Sequence, residues 1–320
     1  MPQNSLATPA DPGHSVRTAE TQLDDFRLAD GTVVGLRLAY AQCGPRDAPA
    51  YLLLHGYAGS HHALSRDAAA ADAGWAMAWA GPGKALDTTR VQVITVNLPG
   101  SAHGSAWDGA EHTHASVRGM AQAIDALLEQ LAIPTLAGAI GYSFGGYVAL
   151  QLKADHPQRV ERVLGLCTAC RGRGSPDELD RLRALTEASQ RAAFRQGVLM
   201  RAGLREWAQD HDEAALTREL ATLPAWSAQF SAQALWRLRA AAIDFELAAC
   251  PDDTTLLYAS SDTLFPAPHP LPAHAAVVQT RYGHQSLLLD PDAWLHPIRN
   301  WFDAATAPHG PPTRLHNPEK

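Results

Sequence analysis

The stretch Ala139-Ile140-Gly141-Tyr142-Ser143-Phe144-Gly145-Gly146 decides the fold. It follows a short apolar run, residues 135–140, and precedes a segment, residues 147–154, that reads as a helix. Strand, Gly-x-Ser-x-Gly and helix in that order form the context of a nucleophile elbow, where a serine stands on a strained turn at the end of a strand. The five-residue pattern alone also turns up by chance in glycine-containing loops, so its weight comes from the strand and the helix around it. Gly141 and Gly145 lie two residues either side of Ser143 and keep Cβ atoms out of the crowded turn. The turn brings the Phe144 N–H and the helix N-terminus beside Ser143, where a developing oxyanion needs a donor.

A serine hydroxyl is a weak nucleophile at neutral pH and needs a base, which in turn needs orienting. With this kind of elbow the chain order is serine, acid, histidine. Downstream, Ser260-Ser261-Asp262-Thr263-Leu264-Phe265-Pro266 directly follows a predicted strand, and Tyr282-Gly283-His284-Gln285-Ser286 follows the next one. Asp262 and His284 are therefore the expected acid and base. Other histidines compete: His269 and His274 sit among prolines, and His103, His112 and His114 sit in a loop before a helix. A lone loop histidine is ordinarily solvated or hydrogen-bonded. Asp290 and Asp292 come after the histidine, and Asp244 lies in a helical region, so only Asp262 has both order and strand-end context. The second oxyanion donor is expected from the loop His55-Gly56-Tyr57-Ala58-Gly59, which follows the run at 51–54. The Tyr57 backbone N–H is the candidate, with His55 and Gly56 shaping the turn.

The rest of the chain agrees with a parallel α/β architecture. Apolar runs at 51–54, 91–96, 160–166, 254–259 and 275–279 alternate with helical spacing, clearest at Val117, Met120, Ala121, Ile124, Leu127, Leu128 and Leu131. Short apolar strands alternating with helices predict a mostly parallel sheet covered on both faces. Phe26 and the run from Val33 flank Ala29-Asp30-Gly31, a hairpin signal. Residues 23–171 and 250–304 read as the core, and 172–249 as a helical cap inserted over it. Residues 1–22 and 305–320 read as a disordered start and a flexible tail.

Composition excludes several functions. A net charge of −7 with no Lys/Arg block argues against nucleic acid as a partner. No run of 18 apolar residues exists to span a membrane, and the polar start lacks a secretory apolar core. Four cysteines (Cys43, Cys167, Cys170, Cys250) in 320 residues make no disulfide framework, so a cytoplasmic enzyme is the expectation. The spacing Cys167-Thr168-Ala169-Cys170 ends a strand instead of opening a helix, which favours packing over redox chemistry. Gly81-Pro82-Gly83-Lys84 lacks the first glycine and the hydroxyl residue of a phosphate loop. His61-His62 and His112/His114 have no carboxylate in helical register, so no metal site is expected.

A longer stretch carries a family resemblance. Gly74-Trp75-Ala76-Met77-Ala78-Trp79-Ala80-Gly81-Pro82-Gly83-Lys84-Ala85-Leu86-Asp87-Thr88 resembles a block of the homoserine O-acetyltransferase family of α/β-hydrolase-fold enzymes. Gly59-Ser60-His61-His62-Ala63, residues 97–105, residues 261–266 and Gly283-His284 are similar to further blocks of that family. The resemblance implies the α/β-hydrolase fold with a helical lid and a double-displacement acyl transfer. It implies acyl-CoA as cosubstrate and no bound cofactor. Ser143 would take the acyl group and pass it to a small hydroxylated acceptor, with His284 moving the proton.

The chain departs from the family at Gln285, where the family carries an aspartate thought to hold the amino group of homoserine. A neutral amide does not pair an ammonium as a carboxylate does. Gly197-Val198-Leu199-Met200-Arg201 is loosely similar to the family's arginine-bearing stretch, which makes His55, Gln285 and Arg201 the candidate substrate contacts. The lid arginines (Arg171, Arg173, Arg181, Arg183, Arg191, Arg195, Arg201 and Arg205) could also meet CoA phosphates, although most are expected to be solvated on helix faces beside Glu and Asp. Small molecules are the expected partners, with a homodimer left open. Three functions stand at this point: an acyl-CoA-dependent acyltransferase, an ester or thioester hydrolase using the same triad, and a binding module that has lost catalysis. The last is disfavoured because every catalytic position is filled.

Overall fold

A computed structural model describes residues 15–27, 31–64, 74–107 and 116–306. The apolar runs pair into one sheet. Its strands, with a separate two-stranded ribbon, are β1 (Arg17–Arg27), β2 (Val33–Cys43), β3 (Ala50–Leu54), β4 (Ala80–Gly81), β5 (Leu86–Asp87), β6 (Gln92–Val96), β7 (Ala106–Trp107), β8 (Gly138–Tyr142), β9 (Val163–Leu166), β10 (Thr254–Ala259) and β11 (Ala275–Val278). The order in the sheet is β1-β2-β6-β3-β8-β9-β10-β11, with β7 paired to β2, while β4 and β5 form the ribbon. Neighbours from β6 through β11 are parallel, and β1, β2 and β7 are antiparallel additions at one side. Every residue of β3, β6, β8 and β9 is buried. That is why these strands read as continuous apolar runs and not as alternating ones.

Helices cover both faces. α1 (Val117–Gln130) and α2 (Phe144–Asp155) pack on one side, and α1 starts where the Ser116 hydroxyl accepts the Gly119 N–H. Leu52 and Leu54 of β3 point into that core, while Tyr51 and Leu53 point into the opposite one, formed with Trp294, Ile298 and Phe302. The cap follows β9 and consists of α3 (Asp177–Arg183), α4 (Ala188–Leu199), α5 (Arg205–Gln209), α6 (Glu213–Leu220), α7 (Leu223–Gln229) and α8 (Ala232–Asp244). A π-helical turn, Met200–Leu204, joins α4 to α5. The chain returns to β10 and β11 and ends in α9 (Ser286–Leu289) and α10 (Asp292–Thr306).

Three expectations need correction. Residues 17–22 are not disordered: they pair with β2 from Arg17↔Gln42 onward. Most side chains of β1 face outward, so this edge strand carries no apolar alternation to read. Residues 1–14, the hairpin turn at 28–30 and residues 307–320 lie outside the described residues, while α10 runs on through 305 and 306. Plain packing holds for Cys167, which is free and buried, but Cys170 forms a disulfide with Cys250. That bond closes a neck in which Gly172 N–H donates to the Phe245 carbonyl at 2.7 Å and Leu247 N–H to the Cys170 carbonyl at 2.9 Å. The whole cap hangs from this neck. The bond also removes a ground for expecting the cytoplasm, since disulfides persist in oxidising compartments.

Candidate active site

The register of β3, β6 and β8 brings their C-terminal ends side by side, with Leu54 opposite both Val96 and Gly141. The loops that follow therefore meet at one place. Ser143, between β8 and α2, has φ 53° and ψ −117°, a conformation that costs a non-glycine residue about 1–3 kcal/mol. The neighbouring glycines are required by close approach. A Cβ on Gly141 would lie 2.4 Å from the Gly145 carbonyl oxygen, and one on Gly145 would lie 2.5 Å from that of Leu54. The Ser143 N–H donates to the Leu166 carbonyl at 2.8 Å, tying the elbow to β9.

Behind Ser143 stands a hydrogen-bonded line. The His284 Nε2 lies 2.9 Å from Ser143 Oγ, and its Nδ1 lies 2.7 Å from Asp262 Oδ2. All three side chains are buried. Asp262 Oδ1 accepts the Leu264 and Phe265 N–H groups at 2.7 and 3.0 Å. Burial pushes the Asp262 carboxyl up, but the His284 hydrogen bond and charge, with those two N–H donors, outweigh it and hold it below the usual carboxylate range. The His284 ring lies between Tyr142 and Phe265, stacked at centroid distances of 5.4 and 5.2 Å. The Tyr142 hydroxyl also donates to the His284 carbonyl at 2.7 Å. Ser261 joins the acid and base loops, accepting the Gly283 N–H at 3.0 Å and donating to the Thr280 carbonyl at 2.7 Å.

The loop after β3 closes the other side. A Cβ on Gly56 would lie 3.5 Å from Ser143 Cβ, so this loop runs directly beside the serine. Among the described residues, neither the Tyr57 nor the Phe144 N–H has a backbone acceptor. His55 does not face the cavity as a free ligand. Its Nδ1 hydrogen bonds the Gly56 carbonyl at 2.8 Å, and its Nε2 accepts the Leu98 N–H at 3.1 Å. Burial depresses its pKa to about 3, so the ring is neutral and stitches two loops together.

A cavity of about 930 Å³ opens over Ser143 between core and cap. Gln285 lines it, whereas Arg201 is exposed on the π-helical turn and outside the lining, which corrects its expected place. Three other arginines line the cavity instead, Arg173, Arg195 and Arg239, and no Asp or Glu is among the lining residues. Arg239 pairs with Glu178 at 3.2 Å. Arg195 has no ion pair among the described residues and lies 5.5 Å over the Trp226 ring. Burial pulls its pKa below the guanidinium value, although a guanidinium remains charged.

The competing histidines are elsewhere. His269 and His274 are exposed, His103 lines the cavity with no ion pair among the described residues, and His112 and His114 lie outside the described residues. Asp244 and Asp292 are exposed, and Asp290 accepts the Thr280 hydroxyl at 2.9 Å.

A family profile described as alpha/beta hydrolase fold matches residues 49–295. The chain belongs to the α/β-hydrolase fold family. Similar curated relatives include the homoserine O-acetyltransferases of Haloarcula marismortui, 33% identical over 166 residues and 47% of this chain, and of Haloferax prahovense, 32% identical over 177 residues and 50% of this chain. The matched stretches cover 41% and 42% of those proteins, so the chain spans about two fifths of their length. Among solved structures, homoserine O-acetyltransferase from Bacillus anthracis superposes with a TM-score of 0.77 at 14% identity, covering 90% of this chain and 98% of that one. Esterase E22 does so with a TM-score of 0.75 at 18% identity, covering 90% and 100%. At those identities the likeness shows the fold.

In this α/β-hydrolase-fold chain the Gly81-Pro82-Gly83-Lys84 part of the stretch that resembles the homoserine O-acetyltransferases stays out of the cavity. Residues 80–87 form the β4–β5 ribbon, in which Asp87 Oδ1 accepts the Gly83 and Thr89 N–H groups at 2.9 and 3.0 Å and Lys84 Nζ donates to the Met77 carbonyl. Within residues 74–88, only Trp75 lines the cavity. Sequence reasoning missed Tyr142 and Trp226. Tyr142 adjoins the serine and could have been singled out, whereas Trp226 is one of many helical cap residues and gave no signal. Of the cap arginines named as possible phosphate contacts, Arg173 and Arg195 line the cavity.

Proposed function

We propose that this protein is a serine-nucleophile acyltransferase that moves an acyl group from a thioester donor, acyl-CoA by resemblance, to a small hydroxylated acceptor bearing a carboxylate. The observation that carries the reading is the unbroken line Asp262–His284–Ser143 beneath the cavity between core and cap. In the first step His284 Nε2 takes the Ser143 Oγ proton as Oγ attacks the acyl carbonyl. The Tyr57 and Phe144 N–H groups stabilise the oxyanion, and His284 returns the proton to the departing thiolate. In the second step the acceptor hydroxyl loses its proton to His284 Nε2 and attacks the acyl-serine, and Ser143 regains a proton. Asp262 keeps Nδ1 protonated and the ring aligned throughout.

The lining supports an anionic acceptor. Arg195, without an ion pair among the described residues, offers a fork for a carboxylate, and with Gln285 in place of an acid an ammonium finds no counter-charge among the lining residues. A hydroxy acid suits such a site better than an amino alcohol. Hydrolysis of an ester or thioester is the second reading, favoured by the same line of residues, since water can replace the acceptor with no further group.

Acetyl-CoA and succinyl-CoA assayed with and without hydroxy acids separate the two. CoA release that requires an acceptor supports transfer. Turnover of p-nitrophenyl esters at a rate no acceptor changes would sink it. Ser143→Ala should abolish the acyl-enzyme seen by intact mass, and Asp262→Asn should lose roughly 10⁴ in rate by misplacing the imidazole tautomer. Arg195→Met should raise the acceptor's KM about tenfold or more while acyl-enzyme formation persists.

A further inference from the structure

The loop that carries the Tyr57 N–H has little structure of its own. Its one internal backbone bond runs from the Gly59 N–H to the Gly56 carbonyl at 3.0 Å. It is held instead by side chains, and two of the holds come from the cap. Trp226 of α7 donates its indole N–H to the Ala58 carbonyl at 3.1 Å. The Tyr57 hydroxyl donates to the Leu235 carbonyl of α8. One helical turn further along α8, the Arg239 guanidinium lies 4.9 Å from the centre of the Tyr57 ring. From the core side, Trp75 donates its indole N–H to the Ser60 carbonyl at 2.9 Å.

We propose that Trp226 and the Tyr57 phenol are positioning residues through which the cap sets the direction of the Tyr57 backbone N–H. The cap then completes the oxyanion hole as well as walling the cavity. The inference rests on Ser143 being the acylated nucleophile. Its physical basis is the short range of oxyanion stabilisation. A donor must sit about 2.7–3.1 Å from the developing charge, and displacing it by about 1 Å can cost about 100-fold in rate. A loop pinned at residues 57, 58 and 60 holds that distance. A loop freed at its two cap contacts does not. The Gly56–Tyr57 peptide group that presents the N–H has its carbonyl held by His55 Nδ1 and the Gly59 N–H. The cap holds on residues 57 and 58 fix the chain on its C-terminal side, whereas a cap serving only as a wall needs neither.

Tyr57→Phe deletes one donor and keeps the ring, and Trp226→Phe deletes the other and keeps a smaller aromatic ring in its place. We would measure burst release of p-nitrophenol from p-nitrophenyl acetate, with intact mass reporting the acyl-serine. A serine-directed boronic acid, whose adduct places an oxygen in the oxyanion position, gives an equilibrium readout. The expected result is an acylation rate lower by about 10- to 100-fold in each variant, with KM within about twofold. Boronate affinity falls in parallel and the unfolding midpoint is retained. Wild-type acylation rates and boronate affinity, or a change in KM alone, would overturn the proposal and leave Trp226 as a wall of the cavity. If one variant fails to fold, the other decides. A wild-type enzyme that forms no adduct at Ser143 overturns the underlying reading itself, an outcome distinct from loss in the variants alone.

Discussion

At the scale of single residues, His55 shows how a group next to the proposed nucleophile can serve the fold. Both ring nitrogens are engaged by backbone, and burial holds its pKa near 3 against 6.5 for the free side chain. His61, also lowered by burial and by the adjacent His62, sits near 4. Between those values and 6.5 the unfolded chain binds the proton and the native one does not, so stability is full above pH 6.5 and falls as pH drops. The slope is up to about 1.4 kcal/mol per pH unit for each such ring. Urea midpoints should therefore decline from pH 7.5 to pH 5, and His55→Gln should flatten part of the decline. A midpoint that stays constant over that window contradicts the neutral, buried ring.

At the scale of elements, α2 and its exit loop fix the elbow from behind. Lys153 is buried at the C-terminal end of α2, and its Nζ donates to the Val160 and Glu161 carbonyls at 2.8 and 3.0 Å. It lies 3.7 Å from the exposed Asp253. These bonds satisfy carbonyls of the segment leading into β9, to which the Ser143 N–H is tied. Lys153→Met should leave those carbonyls unpaired and cost about 3 kcal/mol in chemical unfolding, whereas Lys153→Arg should recover part of it. An unchanged midpoint in the Met variant would place the clamp elsewhere. Such a role has no sequence signature. A lysine in a helix is ordinarily solvated, and α2 is buried on so many sides that it shows no apolar stripe. By contrast α1, half-buried, displays its stripe plainly.

At the scale of the whole molecule, the Cys170–Cys250 bond closes a loop with a sequence separation of 80 that contains the entire cap. Cross-linking a loop of that length stabilises the folded state by about 2–4 kcal/mol, chiefly by restricting the unfolded chain. A reductant should lower the thermal midpoint of the wild type, and Cys170→Ser should lower it equally and abolish the sensitivity to reductant. Equal midpoints with and without reductant would show the neck is held by its two backbone bonds alone.

The sequence by itself determined the parallel α/β architecture and the cap's helical character, and it singled out Ser143, Asp262, His284 and the loop at Tyr57 as the candidate site. These were legible because the information is local. Buried parallel strands are continuous apolar runs, the elbow needs glycines at fixed offsets, and chain order separates Asp262 from its competitors. Tertiary structure alone decided what surrounds Ser143. It pairs Cys170 with a partner 80 residues away. It turns Arg195 and not Arg201 toward the cavity, spends both nitrogens of His55 on backbone, and hangs the loop at Tyr57 from Trp226 and Leu235. The reason is physical. Each of those contacts depends on how a helical insertion lies across a sheet, and many helical sequences with the same spacing could lie there differently.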